Sequence, residues 1–212
     1  VAIDGPAGSG KSTTSRLLAH KLGISYLDTG AMYRAVALHF VQNELLTSDE
    51  NLSSVIDSIS IDIKNNSVYL NDVDVSSKIR TQGVSNLVSE VSCLPLVRSK
   101  LVEIQRSISR NQSIVIDGRD IGTVVFPNAD FKFFVTASIE VRAIRRYEEM
   151  KLSDDNIDIN QIMKDIRERD RIDSSRSHSP LIKANDAILI DTTDLDIDQQ
   201  VNRILEIINK QN

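Results

Sequence analysis

Five short apolar runs recur along the chain: Val1 to Asp4, Ile24 to Leu27, Ile114 to Asp117, Phe131 to Val135 and Ala187 to Asp191. Each is bounded by turn or capping residues, and runs of this length predict strands entering a buried sheet. Between most of them the apolar positions take helical spacing, as at Leu17, Leu18 and Leu22 and again at Val201, Ile204, Leu205 and Ile208. Strands alternating with helices predict an α/β fold, a mainly parallel sheet with helices on both faces. The last helix carries a start signal at Asp196, with Gln199 three residues on in a capping-box arrangement.

The stretch from Ser58 to Val75 breaks this rhythm. Ile59, Ile61 and Ile63, then Val68 and Leu70, alternate around Lys64-Asn65-Asn66-Ser67, which predicts a hairpin. Val73 and Val75, after Asn71-Asp72, add a third short antiparallel strand. Helical segments follow around Val84 to Ser92 and Leu96 to Ser109, with Pro95 between them. Such an insert is a natural place for substrate contacts, because ligands of parallel sheets bind outside the strand carboxyl ends.

Composition narrows the picture. The 212 residues are 41% hydrophobic and 26% charged, with no Pro- or Gly/Ser-rich linker, so one α/β domain with an insertion is expected. A net charge of −5 and only 4% aromatic residues argue against a nucleic-acid partner. Cys93 is the sole cysteine, which excludes a disulfide framework and a thiolate metal site and suits a reducing compartment. No run approaches the roughly 18 apolar residues of a membrane span and no signal-peptide pattern is visible, so no membrane partner and a cytoplasmic location are expected. Because the chain begins at Val1 and not Met, native residues are expected to precede it.

Gly5-Pro6-Ala7-Gly8-Ser9-Gly10-Lys11-Ser12 satisfies G-x-x-x-x-G-K-[ST] and lies between a predicted strand and a predicted helix, where a phosphate-binding loop must lie. Glycines let the backbone wrap closely around phosphate oxygens, and the helix N-terminus adds partial positive charge. Lys11 is expected on the β- and γ-phosphates and the Ser12 hydroxyl on Mg²⁺, with ATP filling Gly5 to Thr13. Ile114-Val115-Ile116-Asp117 supplies the apolar strand ending in an acid that such sites use to orient Mg²⁺ through water. The loop identifies a triphosphate and is silent on the reaction.

Three further segments make little sense as scaffold: Leu27-Asp28-Thr29-Gly30-Ala31-Met32-Tyr33-Arg34, Ile116-Asp117-Gly118-Arg119-Asp120-Ile121-Gly122-Thr123-Val124-Val125-Phe126-Pro127, and Glu168-Arg169-Asp170-Arg171-Ile172-Asp173-Ser174-Ser175-Arg176. With the phosphate loop they resemble the bacterial cytidylate kinases, among the P-loop nucleoside monophosphate kinases, and the resemblance runs through the whole chain. It implies a P-loop three-layer sandwich over 1–212, with a nucleoside-monophosphate-binding insert at 57–92 and a short lid at 143–160. It also implies transfer of the ATP γ-phosphoryl to CMP or dCMP, giving CDP or dCDP in pyrimidine metabolism, with Mg²⁺ as cofactor and the chain as a monomer.

The resemblance further points Thr29, Arg34, Arg119 and Arg176 at the acceptor phosphate. Arginine suits that task, since its planar fork binds phosphate oxygens bidentately while staying charged. The family more commonly has Ser where this chain has Thr29, which keeps the hydroxyl and adds a methyl. For the cytosine, the family pattern has Asp120 accepting from the amino group, Arg98 donating to the acceptor edge and Ser89 doing either; Arg169 and Asp173 fall at the sugar end. Uracil would set a carbonyl against Asp120, and a buried carboxylate left unpaired rejects strongly. Lys11, Arg119, Arg176 and Arg142 are the expected catalytic set.

Arg142 and Arg146 share a helix face, where related kinases begin the lid over ATP; the acids around them, Glu148 and Glu149, also suit a solvated salt-bridge helix. Asp165 and Arg169 are likewise spaced as a helix pair. His20, on the first helix, is expected to be structural or solvent-facing. Two rival functions stay in view: a kinase for another small acceptor such as AMP or shikimate, and a nucleotide-switch module. The second would need a guanine-reading Asn-Lys-x-Asp segment, which the sequence lacks.

Overall fold

The computed structural model describes residues 1–64, 67–151 and 158–211. In chain order the first elements are β1 (Ala2–Asp4), α1 (Lys11–Leu22), β2 (Ser25–Asp28) and α2 (Thr29–Gln42). There follow α3 (Leu52–Ser58), β3 (Ile61–Lys64), β4 (Ser67–Leu70), β5 (Val73–Asp74), a 3-10 turn at Lys78–Arg80, α4 (Gln82–Val91) and α5 (Pro95–Ile108). The chain then forms β6 (Ile114–Gly118), a π turn at Ile121–Val125, β7 (Lys132–Thr136), α6 (Ile139–Lys151), α7 (Ile159–Ser175), β8 (Ile188–Asp191) and α8 (Ile197–Gln211). These elements fall into two compact units, Val1–Tyr26 with Ser113–Asn212, and Leu27–Gln112.

The first unit carries a five-stranded sheet in the order β2-β6-β1-β7-β8. β1 pairs in parallel with β6 and β7, and β7 with β8, so every expected apolar run is a strand of this sheet. Ile3, Val115, Phe133, Val135 and Ile190 meet Leu18 and Ala19 of α1 and Val201, Ile204 and Ile208 of α8 in one core. Val201, Ile204 and Ile208 are three and four apart in the sequence, so one face of α8 lies on the sheet. The capping box at the start of α8 is formed in both directions: Gln199 N donates to Asp196 Oδ1 at 2.8 Å and Asp196 N to Gln199 Oε1 at 3.0 Å. A smaller core of Ala143, Ile162 and Ile166 holds α6 against α7. The part of the expected lid at 152–157 lies outside the described residues.

The second unit contains the antiparallel sheet β3-β4-β5. Lys64 pairs with Ser67, so the hairpin predicted there has its two central residues, Asn65 and Asn66, outside the described residues. Between β4 and β5, Asn71 and Asp72 both take left-handed backbone, with φ of 49° and 64°, the conformation of a two-residue hairpin turn. Val73 is exposed on the third strand while Val75, just past it, is buried. α2 packs on α4, α5 and β4, and Met32 and Phe40 are fully buried along it. Pro95 opens α5 at its first turn, where a missing N–H costs nothing. Helix α3, the 3-10 turn and the π turn are additions to the expected elements; all are too short to show a period in the sequence.

Candidate functional site

The phosphate loop is set by backbone geometry. A Cβ on Gly5 would sit 2.0 Å from the Val135 carbonyl oxygen of β7, and φ at Gly10, the residue that caps α1, is +86°. Both positions therefore require glycine. The loop's carbonyls are engaged by the protein around it. Pro6 O accepts from Lys11 Nζ at 3.2 Å, Ala7 O from Arg142 Nη1 at 3.2 Å, and Ser9 O from Thr192 Oγ1 at 3.0 Å and Arg145 Nη1 at 3.3 Å. Carbonyls held this way cannot turn toward an anion inside the loop, which leaves that side to the N–H groups.

Asp117, at the end of β6, is buried, and each of its oxygens accepts one hydroxyl. Ser12 Oγ donates to Oδ2 at 2.7 Å and Tyr26 Oη to Oδ1 at 2.7 Å. The Ser12–Asp117 pair joins the loop to the expected metal-orienting acid with hard oxygen donors only. No group of three or more His, Cys, Asp or Glu that could hold a metal occurs among the described residues. Such a donor set fits Mg²⁺, which keeps water and substrate phosphates in its shell and needs only one or two protein oxygens.

Arg142 is buried between the loop and two helices. Its Nε donates to Ala137 O at 3.1 Å, and its Nη1 lies 2.7 Å from Asp170 Oδ2 of α7 while also reaching Ala7 O. Arg146, four residues on, is exposed and pairs with Glu149 at 3.0 Å, the surface ion pair that the sequence left open for it. Arg145, between them, holds Ser9 O, Thr192 Oγ1 at 3.1 Å and Thr192 O at 2.8 Å.

The same unit gathers Arg119, Asp173 and Arg176. Arg119 Nε donates to Asp173 Oδ2 at 2.8 Å, and Arg176 approaches the same carboxylate at 3.8 Å while its Nε donates to Asp173 O at 3.2 Å. Burial works to raise the Asp173 carboxyl, but the charges of Arg119, Arg169 and Arg176 together with the Arg119 hydrogen bond outweigh it and hold the group below its ordinary value. Asp120 is buried at the entrance of the π turn.

In the second unit, Asp28 caps α2 by accepting from Ala31 N at 3.0 Å, which places Thr29 in the first turn, buried. Arg34 Nη1 donates to Ser85 Oγ at 3.0 Å and Ile79 O at 3.4 Å. Arg98 is buried on α5, where Nη1 donates to Ser92 O at 3.2 Å and the guanidinium lies 5.4 Å from the Tyr33 ring centre. Ser89 is half-buried on α4, the turn of helix from which its carbonyl accepts Ser92 Oγ at 2.8 Å. His20 is exposed at the last turn of α1.

Sequence reasoning passed over Asp4, Tyr26, Arg145, Asp170 and Thr192. Only Asp4 had a local signal, as the acid that ends an apolar strand immediately before the loop. The other four reach the site through strand pairing or helix packing, which spacing does not encode.

The family model for cytidylate kinase matches residues 1–210. A cytidylate kinase of Fusobacterium nucleatum is 47% identical over 211 residues, covering 99% of this chain and 97% of that protein. One from Carboxydothermus hydrogenoformans is 48% identical over 217 aligned positions, covering 100% and 98%. Among solved structures, an uncharacterized protein from Eubacterium ventriosum superposes with a TM-score of 0.54 at 13% identity over 98% of this chain and 96% of that one, a likeness of fold alone.

Proposed function

The chain belongs to the cytidylate kinase family, and from that premise we propose that it transfers the γ-phosphoryl group of ATP to CMP or dCMP, giving CDP or dCDP in the cytoplasm. One observation carries the reading. The end of β6 presents, within four residues, the acid that meets the donor loop, Asp117, and the two groups assigned to the acceptor, Arg119 and Asp120. The acid alone would serve a hydrolase or a switch, and the reading as a transferase rests on the two groups that follow it.

In the proposed mechanism the ATP phosphates lie along residues 5–13, on the backbone N–H groups of all but Pro6, with Lys11 on the β- and γ-phosphates. Ser12, and Asp117 through water, would hold Mg²⁺, which neutralises phosphate charge when bound. Arg142 acts through the loop backbone that it holds. The acceptor phosphate is assigned to Thr29, Arg34, Arg119 and Arg176, the base to Ser89, Arg98 and Asp120, and the sugar to Arg169 and Asp173. One acceptor phosphate oxygen forms the new bond to the γ-phosphorus, and the bond to the β-phosphate oxygen breaks with its electron pair leaving on ADP. The attacking oxygen is already anionic, so no general base is required, and catalysis rests on positioning and charge neutralisation.

Turnover with ATP should be compared for CMP, dCMP, UMP, AMP and shikimate. CMP or dCMP is expected to be fastest. A faster rate with AMP or shikimate would overturn the acceptor assignment, and rapid ATP hydrolysis with no acceptor would overturn the kinase reading.

A further inference from the structure

β1 ends at Asp4, one residue before the phosphate loop, and its neighbour β6 pairs with it in the register Asp4 to Gly118 before running on into Arg119 and Asp120. Asp4 is 4% exposed. Its two oxygens divide between two consecutive backbone amides: Ile121 N donates to Oδ1 at 2.7 Å and Gly122 N donates to Oδ2 at 2.7 Å. We propose that Asp4 is a positioning residue for acceptor selection, fixing the backbone at Ile121 and Gly122 and thereby the direction of Asp120 and Arg119, without touching either nucleotide.

Residues beyond Gly118 have left the strand ladder, so something else must fix them. Asp120 has φ −142° and ψ 26°, outside the regular regions, and opens the π turn, a geometry that is seldom formed without external support. The turn closes its own far side, with Val124 N and Val125 N on Asp120 O and Phe126 N on Ile121 O. At its near side, the amides of Ile121 and Gly122 meet Asp4. Two adjacent N–H groups need two acceptors at the spacing of a carboxylate, and charge-assisted bonds of this kind are the strong ones. The fit is close: a Cβ on Gly122 would lie 3.3 Å from Asp4 Oδ2 and 3.3 Å from Lys132 Cδ. Burial pushes the Asp4 carboxyl up to about 6, against the two amides, so above that pH it is ionised and accepts from both. The same residue leads directly into Gly5. One carboxylate therefore anchors the entrance to the donor loop and the segment assigned to the acceptor.

The inference rests on the reading of Asp120 as the acceptor of the cytosine amino group. Its test compares wild type with Asp4→Asn above pH 7, measuring KM for CMP, UMP and ATP and the CMP-over-UMP ratio of kcat/KM. Asparagine keeps the shape but offers one acceptor and turns a donor on the second amide. The CMP preference is expected to fall about tenfold and KM for CMP to rise by a similar factor, while KM for ATP stays within about twofold. Asp4→Glu, which keeps the charge and displaces the oxygens by one methylene, is expected to give the same split if the asparagine variant does not fold. Ile204→Val, on the buried face of α8, should lower stability and leave the preference intact. An unchanged preference in both Asp4 variants, an equal rise in KM for CMP and ATP, or an equal loss of preference in Ile204→Val would each overturn the inference alone. A wild type with no CMP preference would overturn the acceptor reading and the inference with it.

Discussion

On the proposed reading the phosphate loop and the Asp173 cluster would both receive phosphate, by opposite means. In the loop the backbone is arranged to meet the anion, and the surrounding cations, Arg142 and Arg145, are occupied with the loop's carbonyls. In the cluster the side chains are arranged, and Arg119 and Arg176 are gathered on one buried carboxylate. A backbone site stays formed because its ligating groups cannot rotate away. A side-chain site must be held together until its ligand arrives, and Asp173 keeps the guanidinium groups of Arg119 and Arg176 together. Removing a cation from the loop should therefore affect chemistry, whereas removing the acid from the cluster should affect stability first.

The largest expected effect tests the loop. Lys11→Ala removes a charge assigned to the transferred group, and kcat/KM should fall about a thousandfold or more, roughly 4 kcal/mol, with CMP and dCMP alike. Within the loop Lys11 donates to Pro6 O, and the loss of rate should outweigh any shift of the unfolding midpoint. Steady-state kinetics beside a thermal melt decides it; a large loss of stability with modest loss of rate would erase the contrast.

Next in size is Asp173→Asn. Three arginine charges act on this buried carboxylate, and leaving them without it should cost about 3 to 5 kcal/mol of stability. Saturating CMP should restore a part of that loss in the variant larger than the stabilisation it gives wild type, since its phosphate would replace the missing negative charge. Thermal melts with and without CMP measure both quantities. Equal stabilisation of the two proteins would mean that the cluster does not receive the acceptor phosphate.

The two buried acids beside these sites should also respond to pH with opposite signs. Asp4 has a folded pKa of about 6 against 3.8 unfolded, so folding favours its protonated form. Its contribution to stability is greatest at low pH and is lost as pH rises from 3.8 to about 6, by up to roughly 3 kcal/mol. Asp173 is lowered, so its contribution is present above the unfolded value and is lost as pH falls through the folded one. Urea unfolding should show wild type losing stability relative to Asp4→Asn as pH rises from 4 to 6.5. A difference independent of pH would mean that Asp4 titrates as in the unfolded chain.

The same contrast explains what could be read from sequence. The loop is contiguous, so glycine spacing alone placed it, and the apolar runs placed every strand of the sheet. Asp173 and Arg119 lie 54 residues apart and meet only because α7 returns to the end of β6, so the resemblance to a family was needed to associate them. Tyr26 was invisible for the same reason: its hydroxyl reaches Asp117, 91 residues away, through the order of strands in the sheet. Arg145 was passed over in favour of Arg142 and Arg146 because spacing gives the helix face and not what faces it. The π turn had no period to detect, and its supporting acid sat in a different motif.

The smallest expected effect concerns that helix. Arg146 is paired with Glu149 in solvent, an arrangement worth about 0.5 kcal/mol or less, whereas Arg142 on the same face is buried against Ala7 O and Asp170. Arg146→Gln should therefore change stability by no more than that amount and KM for ATP by less than about twofold. Arg142→Gln, measured alongside, should disturb both through the loop backbone. The comparison is sharp because the two residues lie one helical turn apart and differ chiefly in what they touch. A tenfold or greater rise in KM for ATP with Arg146→Gln, at unchanged stability, would move Arg146 from the surface pair to the lid over the donor phosphates. It would also show that the donor site recruits a side chain once its ligand is bound, whereas the Asp173 cluster is assembled beforehand.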